Sequence, residues 1–269
     1  MSIYGKSFSY NGKLSADFNA VLCSFDSNDV MKETSIKFVT NKGEITPNRD
    51  IANFYNKAYT DPLKFSVGLC KCHGESFSVM ERDEIISWLT SPQNYSLFTV
   101  EDFEDAEPYH KDIEYFALCT SCKEFYPDGY IRGLAFEFEC SASYGFTPEE
   151  TTSFVSTAAQ PASFVLQNTS HELSKLYYPL ITMTATATGE ITITNDRIPD
   201  KSFTIELRSG QTVTIDNQLG DITDNLGLFK LSTDTNRQWL ALLPGKNIIS
   251  VKGEASGKIT CRYIRKVGI

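Results

Sequence analysis

Five residues in the first half of the chain have the types and spacing of a zinc site. Cys70, Cys72 and His73 lie close together, and Cys119 and Cys122 follow as a Cys-x-x-Cys pair. Thiolates and imidazoles are preferred ligands of tetrahedral Zn²⁺, and Cys-x-x-Cys is a usual half-site. Cys-x-Cys-His departs from the finger and ribbon spacings, and it falls within an alternating strand pattern. The sequence therefore leaves two interpretations open: a zinc site, or core residues with Cys70 and Cys119 on neighbouring strands.

The Cys-x-x-Cys pair also raises the question of redox chemistry. That motif normally opens a helix in a βαβ unit, whereas the pattern around it here is that of a strand. The chain has seven cysteines, an odd number, and its N-terminus lacks the apolar core and cleavage site of a signal peptide. We therefore expect synthesis in a cytosol, where thiols stay reduced. We predict buried free cysteines rather than a disulfide framework.

Nucleophilic catalysis needs a general base, and the chain offers three histidines, His73, His110 and His171. A serine or cysteine nucleophile must lie within reach of such a base, which a third group orients. The sequence has no Gly-x-Ser-x-Gly nucleophile elbow, and the setting of His110 is typical of a surface loop. We assign no catalytic residue and predict that the protein is not an enzyme.

The acidic run at 101–107 has the residue types of a calcium or paired-carboxylate site. It lacks the alternating Asp or Asn ligands and the central Gly of a calcium loop. A solvated loop is the ordinary setting of such a run. The sequence also has no Gly-rich loop ending in Lys-Ser or Lys-Thr that would cradle a phosphate. We therefore assign no metal ligand and no cofactor.

The net charge of −9 is unevenly distributed along the chain. Residues 1–150 hold 13 basic and 24 acidic residues, a net of −11, and residues 151–269 hold 12 and 10, a net of +2. Such asymmetry indicates two separate units. Phosphate contact needs clustered Lys and Arg, so the acidity argues against nucleic-acid binding. No apolar run is long enough to span a bilayer, and we predict no membrane insertion.

Alternating apolar residues predict that the first half is mostly β. Asn11 and Gly12 follow an aromatic alternation and predict a hairpin turn, because both residues tolerate positive φ. Leu134, Phe136 and Phe138 alternate and should share one buried face. The remaining strand signals fall at 21–25, 34–40 (Ile36 and Phe38 on one face, with a turn at 41–43), 65–72, 114–119 and 133–140.

One helix stands out within this half. Ser78 and Glu81 have the spacing of a capping box. Ile85, Trp88 and Leu89 follow at helical spacing and should form one buried stripe. A serine–proline pair then ends the helix.

Residues 147–161 are polar, small and punctuated by proline, and we predict the domain boundary there. A short strand at Phe154-Val155 is the only element expected within this stretch. The predicted domains are 1–148 and 149–269. Short strands separated by turns, which are typical of a β-sandwich or jelly roll, recur at 182–186, 191–194, 203–207, 212–215, 247–251 and 258–263. The expected fold class is mainly β with one notable helix.

Several segments, in order along the chain, are similar to those of one known family. They are Phe8–Phe18 with its Asn-Gly turn and Ser-x-Asp-Phe end, the helix ending in Trp88-Leu89, a loop with Tyr95 and Leu97, Gly129–Ala142, Thr214–Asp216, and Leu242–Asn247 with its Leu-x-Pro-Gly-x-Asn turn. Together they resemble the distal tail proteins of long-tailed, non-contractile phages, the Dit family. Asn19 stands where the family usually has Gly, and Asn also tolerates the left-handed conformation.

The resemblance implies a fold and a function. Dit proteins combine an N-terminal ring-forming (belt) domain with a C-terminal galectin-like β-sandwich. They form a hexameric ring at the distal end of the tail tube. That ring is the hub to which a tail-tip fibre or tail-associated lysin protein and a receptor-binding protein attach. The resemblance therefore implies a structural virion protein that joins the tail tube protein to the host-adhesion apparatus. It also implies a location at the distal end of the tail and assembly in the host cytoplasm.

A second function class stays open beside the structural hub. The C-terminal sandwich could serve as a carbohydrate- or cell-wall-binding adhesion module, because galectin-like folds include lectins, although a fold does not fix a function. Trp239 is the one tryptophan in that half, and a single tryptophan is more often a core residue. A cell-wall hydrolase has the least support. Oligomeric state separates the two leading classes, because a hub assembles into a ring and a lectin module need not.

Overall fold

The computed structural model describes residue 3 and residues 5–25, 38–42, 54–103 and 112–266. Its contacts divide the chain into two compact units, residues 1–146 with 265–269 and residues 147–264. The predicted fold class, mainly β with one α-helix, is confirmed. The predicted strand at 34–37, Gly43 of the predicted turn, the acidic residues 104–107 and His110 lie outside the described residues.

The described residues of the first unit form ten strands and one α-helix. The strands are β1 Ser7–Tyr10, β2 Lys13–Leu14, β3 Ala20–Cys23, β4 Phe38–Lys42, β5 Phe54–Tyr59, β6 Lys64–Lys71, β7 Ser96–Glu101, β8 Glu114–Phe125, β9 Gly133–Cys140 and β10 Gly145–Phe146, and the helix is α1 Val79–Thr90. Short 3₁₀ turns occupy Ser15–Phe18 and Cys72–Gly74. The predicted strand at 65–72 thus ends one residue earlier, at Lys71, and the strand beginning at 114 runs on to Phe125.

One large sheet forms the frame of this unit. Its strands follow the order β2-β1-β7-β8-β9-β6-β3, and all the described pairings are antiparallel. Strand β10 pairs with β8 and with β20, a short strand at Ile264–Arg265. Strands β4 and β5 pair only with each other among the described residues.

One hairpin turn and one left-handed asparagine agree with the sequence analysis. Asn11 and Gly12 connect β1 to β2 with φ of 49° and 77°, the pair of positive φ values that a type I′ hairpin turn requires. Asn19 ends the first 3₁₀ turn with φ 54° and ψ 36°. It therefore supplies the left-handed conformation that glycine would otherwise supply.

Helix α1 begins and packs as its sequence predicts. The Ser78 side chain accepts from the Glu81 backbone N–H at 3.2 Å, and the Glu81 carboxylate accepts from the Ser78 N–H at 2.8 Å. Ile85 and Leu89 are fully buried. The half-buried Trp88 indole stacks on two phenylalanine rings and donates its N–H to the Tyr10 carbonyl at 2.9 Å. The helix is thereby fastened to β1.

The core of the first unit is aromatic. Alternation on β9 buries Leu134, Phe136 and Phe138 on one face of the sheet, as predicted. Phe98 lies at the centre, with its ring 5.2 Å from that of Phe138 and 4.9 Å from that of Phe65. Burial of each such ring stabilises the folded unit by about 1.5–3 kcal/mol. The closely packed rings make the sheet a rigid support for the residues on its surface.

The second unit is a β-sandwich. Its strands are β11 Glu150–Ser156, β12 Ala162–Asn168, β13 Leu180–Ala185, β14 Gly189–Asn195, β15 Phe203–Leu207, β16 Thr212–Asp216, β17 Asp221–Asp224, β18 Gly245–Lys252 and β19 Ala255–Cys261. One sheet has the order β11-β19-β13-β16-β17 and the other β12-β18-β14-β15. The inward-facing residues of both sheets form a single apolar core, as the alternating patterns predicted.

Residues 147–161 are only in part the irregular boundary that their polarity predicted, because the short strand expected at Phe154-Val155 is longer than predicted. Residues 150–156 form a seven-residue strand that pairs throughout with β19, from Glu150 opposite Cys261 to Ser156 opposite Ala255. Thr and Ser are ordinary residues for a strand that exposes one face, so their polarity did not indicate a linker. The contact-based division of the chain falls between Phe146 and Thr147.

The turn Leu-x-Pro-Gly-x-Asn in this unit is closed by a buried asparagine. The Asn247 side chain donates to the Leu243 and Gly245 carbonyls at 2.8 Å each and accepts from the Leu243 N–H at 3.0 Å. Its oxygen also accepts from the Asn195 side chain at 3.0 Å. Gly245 has φ 87°, which explains the glycine after the proline.

Candidate functional site

The cysteines and histidine of the predicted zinc constellation do not come together. Cys70 forms a disulfide bond with Cys23 on the neighbouring strand β3, with a Cα–Cα distance of 6.1 Å. Strand β9 lies between β6 and β8, so the prediction that Cys70 and Cys119 lie on neighbouring strands is wrong. The described part of the chain holds no group of three or more His, Cys, Asp or Glu residues that could bind a metal ion.

The disulfide also corrects the expectation that all cysteines are reduced. In the β3–β6 pairing, Val21 lies opposite Cys70, so Cys23 lies two residues along the same face. The Cα separation falls within the range that a disulfide can bridge. The two residues are 47 positions apart in the chain, and only the register of the strands reveals their proximity.

The Cys-x-x-Cys pair is part of the sheet rather than a reactive motif. A bulge in β8 between Cys119 and Ser121 shifts the register. One extra residue brings positions i and i+3 to the same face, and both cysteines pack against the core. Burial raises the pKa of the Cys119 and Cys122 thiols to about 11. Both therefore stay protonated at neutral pH, and a protonated thiol is neither a nucleophile nor a metal ligand.

The two described histidines stand apart from these thiols. His73 occupies a left-handed position in the 3₁₀ turn after β6, with φ 58°, and is exposed. His171 is exposed in a loop of the second unit, where its backbone N–H donates to the Ile264 carbonyl. In the acidic run, Glu101 ends β7 and Asp102 and Phe103 follow it.

An exposed cluster of aromatic residues is the most distinctive surface of the first unit. Phe125, Tyr126 and Tyr130 lie at the β8–β9 connection with relative exposures of 49%, 57% and 59%, and the 38% exposed Phe25 contacts Phe125 at a ring distance of 5.4 Å. We call these four residues the aromatic surface. Exposed aromatic clusters are enriched in protein–protein interfaces, because large rigid rings bury much area at low entropy cost.

The connection that carries this surface is held in place. The Arg132 guanidinium pairs with the Asp128 carboxylate at 2.7 Å and donates to the Gly74 carbonyl at 2.7 Å. It also lies 5.5 Å from the centre of the Tyr130 ring. The pairing with Arg132 lowers the pKa of Asp128. The rings are therefore presented from a braced turn, which lowers the entropy lost on binding a partner.

Glycine residues seat the fourth ring. The Phe25 ring packs against Gly68 on β6 and Gly133 on β9, where an added Cβ would collide with it. Beside this ring a groove of about 490 Å³ runs over the outer face of the sheet, past Ala135 and Ser66. The sequence contained a signal for this surface, because three aromatic residues surround the Pro-Asp-Gly turn at 125–130. An exposed turn does not need aromatic residues in order to fold, so their presence there indicates a binding surface.

The second unit presents a different surface. Its strongly exposed large apolar residues are all aliphatic. Trp239 is half-buried, stacks on Phe203 at 6.1 Å and covers Gly220, as expected of a core residue. Trp239 therefore lies against the core and is not an exposed stacking platform.

No helix within the described ranges is long and apolar enough to cross a membrane.

Two solved structures share this fold over almost their whole length. The crystal structure of the SPP1 Dit protein, described as a paradigm of the hub adsorption apparatus in phages that infect Gram-positive hosts, matches with a TM-score of 0.63 at 15% identity, covering 96% of this chain and 98% of that one. A chain of the phage P2 baseplate, in its activated conformation with Ca, matches with a TM-score of 0.50 at 10% identity, covering 98% of this chain and 99% of that one. These likenesses confirm the predicted Dit fold.

The sequence itself matches two family models in succession. One, described as a phage tail protein N-terminal domain, matches residues 3–142, and the other, described as a phage tail C-terminal domain, matches residues 144–261. No curated protein sequence matches the chain. Because the two models together cover nearly all of its length, the chain belongs to this family of phage tail proteins.

Proposed function

We propose that the protein is the distal tail hub of a long-tailed, non-contractile phage, a structural and non-enzymatic component of the virion. The observation that carries the proposal is the fold match over 96% of this chain and 98% of the SPP1 Dit chain, a protein described as a hub of the adsorption apparatus. A match of both units in the same order is more informative than a match of one sandwich, which many unrelated functions share. The raised thiol pKa values agree with a non-catalytic role.

In this proposal six copies form a ring through the first unit, at the distal end of the tail tube. The ring would join the tail tube protein on one side to the tail-tip fibre or lysin protein and to a receptor-binding protein on the other. A cyclic ring needs a heterologous interface, in which two different patches of each subunit meet. The aromatic surface supplies one such patch, because it is exposed, rigid and rich in the residue types that dominate binding energy.

The acidity of the first unit suits a tube through which DNA passes. The first unit, residues 1–146 with 265–269, holds 15 basic and 22 acidic residues, a net charge of −7. If these charges line the ring, they repel phosphates and keep the genome from adhering. No specific nucleic-acid binding and no membrane insertion belong to this proposal.

The test of the hub is the mass of the full-length protein across a concentration series, with imaging of the assembled species on grids. We expect a six-fold ring. Tyr126→Ala and Tyr130→Ala should each raise the concentration needed for assembly by about tenfold or more. Tyr95→Ala is the matched control, since Tyr95 is also an exposed tyrosine of this unit, at 46%. A wild-type protein that stays monomeric at high concentration would refute the hub. Rings unaffected by both substitutions would refute the role of the aromatic surface.

A further inference from the structure

The sandwich of the second unit has four edge strands, and two of them are protected. Strand β15 is covered by its own chain, because the Glu206 N–H donates to the Asp234 carbonyl at 2.8 Å and the Asn236 N–H donates to the Thr204 carbonyl at 3.2 Å. Strand β17 has only four residues and carries an aspartate at each end. Covering, shortness and charge are the usual devices that prevent an edge from pairing with another chain.

The other two edges, β11 and β12, are longer and, within the described part of the chain, uncovered, and β12 also lacks charge. Each is seven residues long and pairs on one side only among the described residues, β11 with β19 and β12 with β18. Strand β12, Ala-Ser-Phe-Val-Leu-Gln-Asn, contains no charged residue and no proline. It therefore offers a row of backbone donors and acceptors to a further strand.

A groove with an apolar base lies between these two edge strands. Phe154 of β11 and Phe164 of β12 stack at a ring distance of 5.9 Å with an interplanar angle of 12°. They border an open groove of about 560 Å³ along the side of the sandwich. The loop that joins the strands is held by reciprocal backbone bonds between Thr157 and Gln160. The groove is therefore a built feature of the fold.

The outer face of β12 also carries an apolar pair at the edge. Val165 is 49% exposed and lies opposite Ile248 of β18, which is 37% exposed. Since side chains alternate along a strand, Val165 faces outward while Phe164 and Leu166 face the interior side. A strand added at this edge would thus meet apolar side chains on both of its faces.

We propose that β12 accepts one additional strand from a different tail protein. The occupant is an extended, uncharged segment with apolar residues at alternate positions. Its backbone pairs with the free edge of β12, and its side chains enter the groove over Phe154 and Phe164. In strand addition the main-chain bonds supply affinity and the pockets for alternate side chains supply specificity.

The choice of a different protein rests on the proposed hub function. Antiparallel pairing of β12 with β12 of a second copy needs a two-fold axis, whereas the copies in one ring are related by rotation about a single six-fold axis. Every copy in the ring presents the same edge in the same sense. A head-to-tail contact within the ring would instead bring β12 against the opposite edges of the next copy, β15 and β17, and both of these are protected. We therefore assign the completing strand to another chain of the tail.

Hydrogen exchange tests the pairing directly. The full-length protein, free at two concentrations, is compared with the protein in purified tails of its phage, and exchange is followed in peptides covering 162–168. We expect the amides of the free edge to exchange at least tenfold more slowly in tails. Unchanged exchange in tails that contain the protein overturns the inference, as does protection that already appears in the free protein when its concentration rises, because the occupant is then a second copy. Absence of the protein from tails would instead refute the hub.

A charge at the edge tests the consequence for assembly. Val165→Lys should lower the yield of infective particles at least tenfold without altering the mass of the ring. Val165→Thr, whose side chain is uncharged and β-branched, should keep the yield of infective particles unchanged. Leu180→Lys is the matched control, because Leu180 is 39% exposed on the outer face of a central strand, β13. If melting shows that Val165→Lys does not fold, Ser163→Lys places the charge one outward position along the same edge. A folded edge variant as infective as the control overturns the inference.

Discussion

The indole of Trp88 fixes helix α1 to the sheet of the first unit, and removing it should destabilise that unit alone. The ring stacks between Phe8 at 5.5 Å and Phe18 at 5.4 Å, and such aromatic pairs contribute about 0.5–1.5 kcal/mol each beyond the area they bury. The indole N–H bonds to the Tyr10 carbonyl at 2.9 Å, a bond of about 1 kcal/mol. Full truncation of a buried tryptophan costs about 3–5 kcal/mol. Because Trp88 is half-buried, we expect about 3 kcal/mol for Trp88→Ala.

A series of variants separates these contributions. Trp88→Phe keeps an aromatic ring between the two phenylalanines but removes the donor, so it should cost about 1 kcal/mol. Met80→Ala changes a 75% exposed residue of the same helix and should change the free energy of unfolding by less than about 0.5 kcal/mol. Hydrogen exchange measured during urea unfolding assigns each loss of stability to one unit, because peptides from β1 report on the first unit and peptides from β13 report on the second. Equal losses for Trp88→Ala and Met80→Ala, or a loss reported by β13, would refute the reasoning.

Three further predictions concern the interior and the surface charge. Hydrogen bonds from the Lys71 ammonium and the Ser78 N–H lower the pKa of Glu81 from 4.5 to about 2. The ionised Glu81 therefore stabilises the first unit above pH 4.5, and this contribution is lost as the pH falls towards 2. The urea midpoint of the first unit should fall over this pH range, and it should fall less in Glu81→Gln. Asn247→Ala removes four hydrogen bonds in the second unit and should lower the free energy of unfolding by about 3–5 kcal/mol in a thermal or urea melt. Its control, Asn225→Ala, lies at an exposed site with one bond from the Thr212 N–H and should lower the free energy of unfolding by about 1 kcal/mol or less. The thiol of Cys119, with a pKa of about 11, should react with iodoacetamide at pH 8 only after unfolding, which mass spectrometry of alkylated peptides measures; fast labelling of the native protein would contradict the burial.

Local signals explain why much of the first unit was predictable. The turn at Asn11 and Gly12, the left-handed Asn19 and the capping box of Ser78 and Glu81 each depend on residues within four positions of one another. Such elements are specified by backbone sterics and by nearby hydrogen bonds. Strand alternation is also local, and it predicted the buried face of β9 and the sandwich of the second unit.

Features that depend on long-range pairing were not predictable in the same way. The Cys23–Cys70 disulfide requires the register of β3 against β6. Residues 150–156 form a strand because β19, about a hundred residues later, pairs with them. The aromatic surface combines the β8–β9 connection with Phe25, whose seat on Gly68 and Gly133 exists only after the sheet has formed.

The two units use their edges in opposite ways, and this contrast bears on how a hub could assemble. In the first unit one end of the sheet is β2, only two residues long, and the other is β3, which a disulfide fastens to β6. Among the described residues, neither end of this sheet offers a long bare edge, so ring contacts made by this sheet would depend on side chains such as those of the aromatic surface. In the second unit β11 and β12 are long and uncovered. Side-chain contacts favour one fixed, symmetric neighbour, whereas an open edge accepts an extended segment of a different chain. If the first unit binds its own copies through side chains and the second unit binds a tail partner through an open strand edge, the two kinds of contact use different surfaces and do not compete.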